Sequence, residues 1–115
     1  MSLTWVDGVA ADTVPADDRG LNYADGAFET LSCHEGGIQH EDLHRTRLTR
    51  ALSALGVTSA AEHSERLFEE AGRCLETAGY TGVARLTVTR GSGPRGYAPP
   101  APTQLRYILL SLIHI

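Results

Sequence analysis

Apolar and polar residues alternate along Ala27–His34, with Phe28, Thr30 and Ser32 on one face and Glu29, Leu31 and Cys33 on the other. A period of two predicts a strand. Glu35-Gly36-Gly37 then predicts a hairpin turn, with Ile38 starting the return. A second alternating run, Val83–Arg90, puts Val83, Arg85, Thr87 and Thr89 opposite Ala84, Leu86 and Val88. Gln104–Ile113 is a nearly continuous apolar run, which predicts a last strand buried on both faces. Near the start, Thr4-Trp5-Val6 ahead of Asp7-Gly8 reads as a short strand and a turn. Ala10–Asp17 reads as loop, and so does the polar stretch Asp18–Gly26, as an ordered loop.

Between the strands the period changes to that of a helix. A first helix is predicted from Glu41, whose opening turn carries Glu41 and Asp42, where the helix dipole favours anions. Leu43, Leu48, Leu52 and Leu55 form its rough stripe, and Gly56 ends it. Ser59-Ala60-Ala61-Glu62 has the spacing of a capping box for a second helix. Leu67, Phe68, Ala71, Cys74, Leu75 and Ala78 lie on one side of that helix, which Gly79 closes. The order strand, hairpin, helix, helix, strand, strand predicts an α+β fold, a mostly antiparallel sheet with two helices on one face.

Composition narrows the classes. The 115 residues suit one small core, and 42% hydrophobic with 21% charged content predicts a globular chain. A net charge of −4 argues against a general nucleic-acid surface. No apolar run approaches the roughly 20 residues that span a bilayer, and no basic-then-apolar leader is present. The expectation is a cytoplasmic protein with neither membrane nor nucleic-acid partner. Cys33 and Cys74 stand apart without a C-x-x-C pattern, so buried thiols are expected. All ten basic residues are arginine, and without a lysine this chain cannot form a Schiff base through a lysine amine.

Thr87–Pro100 carries the candidate chemistry. A strand runs into a loop containing Gly91, Gly93 and Gly96, Arg90 and Arg95, and Tyr97, with Pro94, Pro99 and Pro100 restricting the backbone. Planar guanidinium groups suit paired hydrogen bonds to carboxylate or phosphate. The plain alternative is a solvated turn. Arg47, beside Leu48 on the first helix, reads either as a phosphate clamp or as a solvated cation, and Tyr23 either as a phenol aimed at a carboxylate or as packing. Glu29, on the face of Leu31, reads as a buried partner for an arginine or as an edge charge. His40-Glu41-Asp42-Leu43-His44 matches the H-E-x-x-H zinc pattern, with Glu62 or His63 as a third ligand. His40 falls at the helix cap, however, and Arg45, Arg47 and Arg50 would repel a dication, so no metal site is assigned.

Four segments occur in a recognisable order: Asp18-Arg19-Gly20, Tyr23-Ala24-Asp25-Gly26-Ala27-Phe28-Glu29-Thr30, His44-Arg45-Thr46-Arg47-Leu48, and Thr89-Arg90-Gly91-Ser92-Gly93-Pro94-Arg95-Gly96-Tyr97. Together they resemble the N-terminal half of the class IV pyridoxal-phosphate enzymes, which include D-amino-acid and branched-chain aminotransferases and 4-amino-4-deoxychorismate lyase. The R-G-x-G-x-R-G-Y form most resembles the lyase subgroup. The resemblance implies that Arg47 holds the phosphate of pyridoxal 5'-phosphate. It implies that Tyr23, Arg90, Arg95 and Tyr97 serve a small-molecule carboxylate substrate, and that the complete enzyme is a homodimer. His44 becomes a helix residue of the H-x-x-R-L pattern. The family's Schiff-base lysine and the acidic partner of the pyridine nitrogen lie, by the same resemblance, in a C-terminal domain.

Residues 1–109 are accordingly expected to be the N-terminal small domain of such an enzyme, and residues 110–115 a truncated or non-native tail, with the lysine-bearing domain absent. The expected function is that of a fragment of a lyase of folate precursor synthesis, inactive as it stands. The alternatives are a class IV aminotransferase of D-amino or branched-chain acids and a non-catalytic anion-binding module.

Overall fold

The computed structural model describes residues 3–92 and 104–114. Six strands form one sheet in the order β2-β1-β6-β5-β3-β4, every neighbouring pair antiparallel. They are β1 (Thr4–Val6), β2 (Val9–Ala10), β3 (Gly26–His34), β4 (Gly37–Ile38), β5 (Gly82–Thr89) and β6 (Arg106–His114). Three helices join them: α1 (Arg19–Tyr23), α2 (Glu41–Ala54) and α3 (Ala60–Ala78). The α+β expectation holds, with the two long helices on one face of the sheet.

The alternation in β3 and β5 does what its period requires. Leu31 and Cys33 from β3, Ala84, Leu86 and Val88 from β5, and Tyr107 and Leu109 from β6 are buried. They meet Leu48 and Leu52 of α2 and Leu67, Phe68, Ala71 and Leu75 of α3 in one apolar cluster. Each of the Leu, Val and Phe side chains among them contributes roughly 1.5–3 kcal/mol when removed from water. The β3–β4 turn is pressed against α3: Gly36 has φ +83°, and a Cβ there would stand 2.5 Å from Glu76 Cα.

Four local expectations are corrected. Asp18–Gly26 is not a loop throughout, because Asp18 accepts a bond from the Leu21 amide and nucleates α1, which Ala24 ends in the left-handed conformation. Within α1, Gly20 sits where a Cβ would come within 2.4 Å of Thr89 Cγ2. Val9–Ala10, at the start of the expected loop, returns as the exposed edge strand β2. Ser59 precedes α3 with φ 58° and makes no side-chain capping bond, so the capping box does not form. Finally, β6 is buried on one face only. Ile108 and Leu110 are half-buried and Leu112 is exposed, because the helices cover the other side. Leu110–His114 continues β6 alongside β5, with a register shift between Val83 and Ala84 that leaves Leu112 without a partner on β5.

Candidate functional site

Glu29 lies on the inner face of β3, in the alternation that also buries Leu31 and Cys33. A carboxylate there is costly unless it is paired. Its partners come from α2, where His44 and Arg47 stand three residues apart and so share a helix face. His44 Nδ1 is 2.7 Å from Glu29 Oε1, and Arg47 donates to the same oxygen from Nε at 3.2 Å and Nη2 at 2.7 Å. The Glu29 side chain is 8% exposed, whereas that of Arg47 is 55% exposed. Arg47 Nη1 makes no bond to any described residue. One edge of the guanidinium is thus fastened to a buried carboxylate, while Nη1 has no partner among the described residues. Of the two sequence readings of Glu29, the buried arginine partner is the correct one.

A second cluster sits where β5 gives way to the arginine–glycine loop. Buried Arg90 donates from Nε to Asp25 Oδ1 at 3.1 Å, and buried Arg19 donates from Nε to Asp25 Oδ2 at 2.9 Å. The Asp25 carbonyl also accepts the Arg90 amide. Asp18, buried beside them, accepts from Thr89 Oγ1 at 2.7 Å and from Arg106 Nη1 at 2.6 Å. Arg106 reaches on to Ser92 Oγ at 3.1 Å, and Ser92 donates to Asp17 at 2.7 Å. Gly91 has φ +73°, and a Cβ there would stand 2.4 Å from the Gln104 carbonyl oxygen. Both roots of the loop are therefore pinned. Asp25 and Glu29 are four residues apart around the start of β3, about 13 Å along extended chain.

Tyr23, the last residue of α1, is half exposed and lies under the Arg19 guanidinium, 4.8 Å from carbon to ring centre. Arg95 and Tyr97 lie outside the described residues. His40 takes the left-handed conformation ahead of α2, and His44 is engaged by Glu29. Among the described residues no group of three His, Cys, Asp or Glu side chains comes together to hold a metal. Asp18, Asp25 and Arg106 are not marked by any local periodicity, because their ion pairs span up to 88 residues. The one signal available was a cluster of aspartates around a glycine ahead of a strand.

The profile of the family described as amino-transferase class IV matches residues 26–113. An aminodeoxychorismate lyase from Vibrio harveyi is 29% identical over 98 residues, covering 84% of this chain and 35% of that protein. The crystal structure of 4-amino-4-deoxychorismate lyase from Pseudomonas aeruginosa superposes with a TM-score of 0.86 at 40% identity, over 96% of this chain and 39% of that one. A hypothetical aminotransferase from Mycobacterium tuberculosis, in its PLP-bound form, gives 0.66 at 24% identity over 96% of this chain and 40% of that one. This chain thus spans somewhat over a third of the length of these relatives.

Proposed function

The chain belongs to the class IV aminotransferase family, and from that premise we propose that it is the phosphate- and carboxylate-gripping part of a pyridoxal-phosphate-dependent aminodeoxychorismate lyase. The observation that carries the cofactor reading is Arg47, tethered by one edge to buried Glu29 with Nη1 left for an anion. That arrangement fits the phosphate end of pyridoxal 5'-phosphate. The aldehyde end needs a lysine, and all ten basic residues here are arginine. When bound, the cofactor supplies an electrophilic carbonyl and a ring that stabilises carbanion character at the substrate.

In this reading Arg47 binds and orients the phosphate. Tyr23, Arg95 and Tyr97 receive the carboxylates of 4-amino-4-deoxychorismate, which is split to 4-aminobenzoate and pyruvate. Arg90 belongs to the same subsite through its seat on Asp25, which fixes where the loop leaves β5. The lyase is preferred to an aminotransferase on the likeness to the Pseudomonas aeruginosa enzyme, at 40% identity and a TM-score of 0.86. The complete protein is proposed to be a cytoplasmic homodimer of folate precursor synthesis.

The test begins with sequencing the source DNA past codon 115 and expressing whatever frame encloses this chain. Pyruvate and 4-aminobenzoate released in equal amounts from 4-amino-4-deoxychorismate support the lyase. Amino-group exchange between keto acids without pyruvate release replaces it with an aminotransferase. The 115 residues alone, given the cofactor, are expected to release no pyruvate.

A further inference from the structure

A Glu29–Arg47 pair needs explaining on grounds other than stability. With the arginine half exposed, the ion pair itself is worth little, and an apolar side chain on the inner face of β3 would avoid burying a charge. Yet Glu29 Oε1 takes both Arg47 contacts, at 3.2 and 2.7 Å, and His44 Nδ1 at 2.7 Å. His44 thereby holds the carboxylate while the carboxylate holds the guanidinium. We propose that Glu29 and His44 are positioning residues, which fix the Arg47 guanidinium with Nη1 outward before a phosphate dianion arrives. The proposal rests on the reading of Arg47 as the phosphate ligand.

The physical gain is entropic. A free arginine on a helix surface must give up its rotamer freedom when it grips an anion, and one already tethered has less to lose. The same carboxylate also opposes an approaching phosphate by simple repulsion. Tethering and repulsion act on affinity with opposite signs, so two substitutions at one position separate them. Glu29→Gln keeps an oxygen acceptor for Arg47 and removes the charge. Glu29→Ala removes both.

The experiment titrates the chain with inorganic phosphate and follows the ¹⁵N shift of Arg47 Nε, with its ¹⁵N relaxation measured before phosphate is added. The expected result is phosphate binding about five-fold weaker in Glu29→Ala, unchanged or tighter in Glu29→Gln, and a faster-moving Nε in the alanine variant alone. Binding in Glu29→Ala as tight as in the parent, or tighter, overturns the positioning role. Should Glu29→Ala not fold, His44→Phe removes the other donor to Oε1. It is expected to weaken phosphate binding by about two-fold and loosen Nε, and no change in either overturns the proposal. His44→Asn, whose amide can donate in place of Nδ1, is expected to restore the parental values. Phosphate affinity that is undetectable in the parent, or unaltered by Arg47→Ala, instead removes the reading of Arg47 on which the proposal stands.

Discussion

Asp18 joins α1, β5 and β6 through one carboxylate. Its Oδ2 accepts the Leu21 amide at 3.2 Å, and its Oδ1 accepts Thr89 Oγ1 and Arg106 Nη1 at 2.7 and 2.6 Å. Truncating it leaves Arg106 without its close partner and Thr89 without an acceptor. Asp18→Ala is expected to cost about 3–5 kcal/mol in urea unfolding, the range for breaking a buried charge pair from one side. A loss under 1 kcal/mol would mean the carboxylate is dispensable. The thiols differ in a way that a chemical probe reads. Burial raises the pKa of Cys33, and burial with the nearby Glu70 raises that of Cys74. Cys33 is in the core and Cys74 is half-buried. A disulfide-exchange reagent at neutral pH is therefore expected to titrate one thiol slowly in the folded chain and two at once in urea. Two fast thiols without urea would place Cys33 outside the core.

The regular elements were legible because their periods are long and unmixed: eight residues of alternation in Ala27–His34, and the stripe from Leu67 to Ala78 in α3. The misreadings fall where tertiary contact overrides local preference. Gly20 is a close approach to Thr89 inside a short helix, and Ser59 enters α3 in the left-handed conformation without capping it. β6 also makes a contact that no pattern announces. The Tyr107 hydroxyl donates to Glu70 Oε1 at 3.1 Å and so ties the strand to α3. Burial, and then the Glu70 carboxylate, push the Tyr107 phenol well above its ordinary value of 10.0, and burial raises Tyr80 as well. In the unfolded chain both phenols ionise near 10 while the folded chain keeps its protons. The unfolded state then binds fewer protons, so stability falls as pH rises above about 10. Tyr107→Phe is expected to flatten that decline in urea melts between about pH 9 and 11. An unchanged slope would assign the decline to other groups.

At the scale of the whole chain, the candidate site was legible in parts. Arg47 and the arginine–glycine loop could be singled out from residue type and spacing, whereas Glu29's pairing and the Asp18 and Asp25 clusters needed the sheet register to bring them together. The largest departure from expectation is β6, whose apolar run predicts burial on both faces. Opposite the helices the sheet presents Phe28, 59% exposed, with Ile108, Leu110 and Leu112 on the same face. A hollow of about 450 Å³ beside them is lined by Leu21, Ala24, Ala27, Phe28, Thr87 and Ile108. Arg85 lies over Phe28 at 5.3 Å and is the charged cover on this stretch. Soluble monomers seldom leave contiguous apolar surface of more than a few hundred Å² open, so the composition of β6 fits a face that other residues cover. For the 115-residue chain in isolation, this predicts strong binding of an anionic naphthalene dye that fluoresces on apolar surface. The paired substitutions Phe28→Ser and Leu112→Ser are expected to remove most of that signal and leave the far-ultraviolet circular dichroism unchanged, because neither side chain belongs to the core under the helices. If the dye stays dark with the parent chain, the face is already covered, and sedimentation equilibrium then decides whether a second copy does the covering. If the dye lights equally with parent and variant, the apolar surface it finds lies elsewhere, and the open face of β6 is not the reason the strand is apolar on both sides.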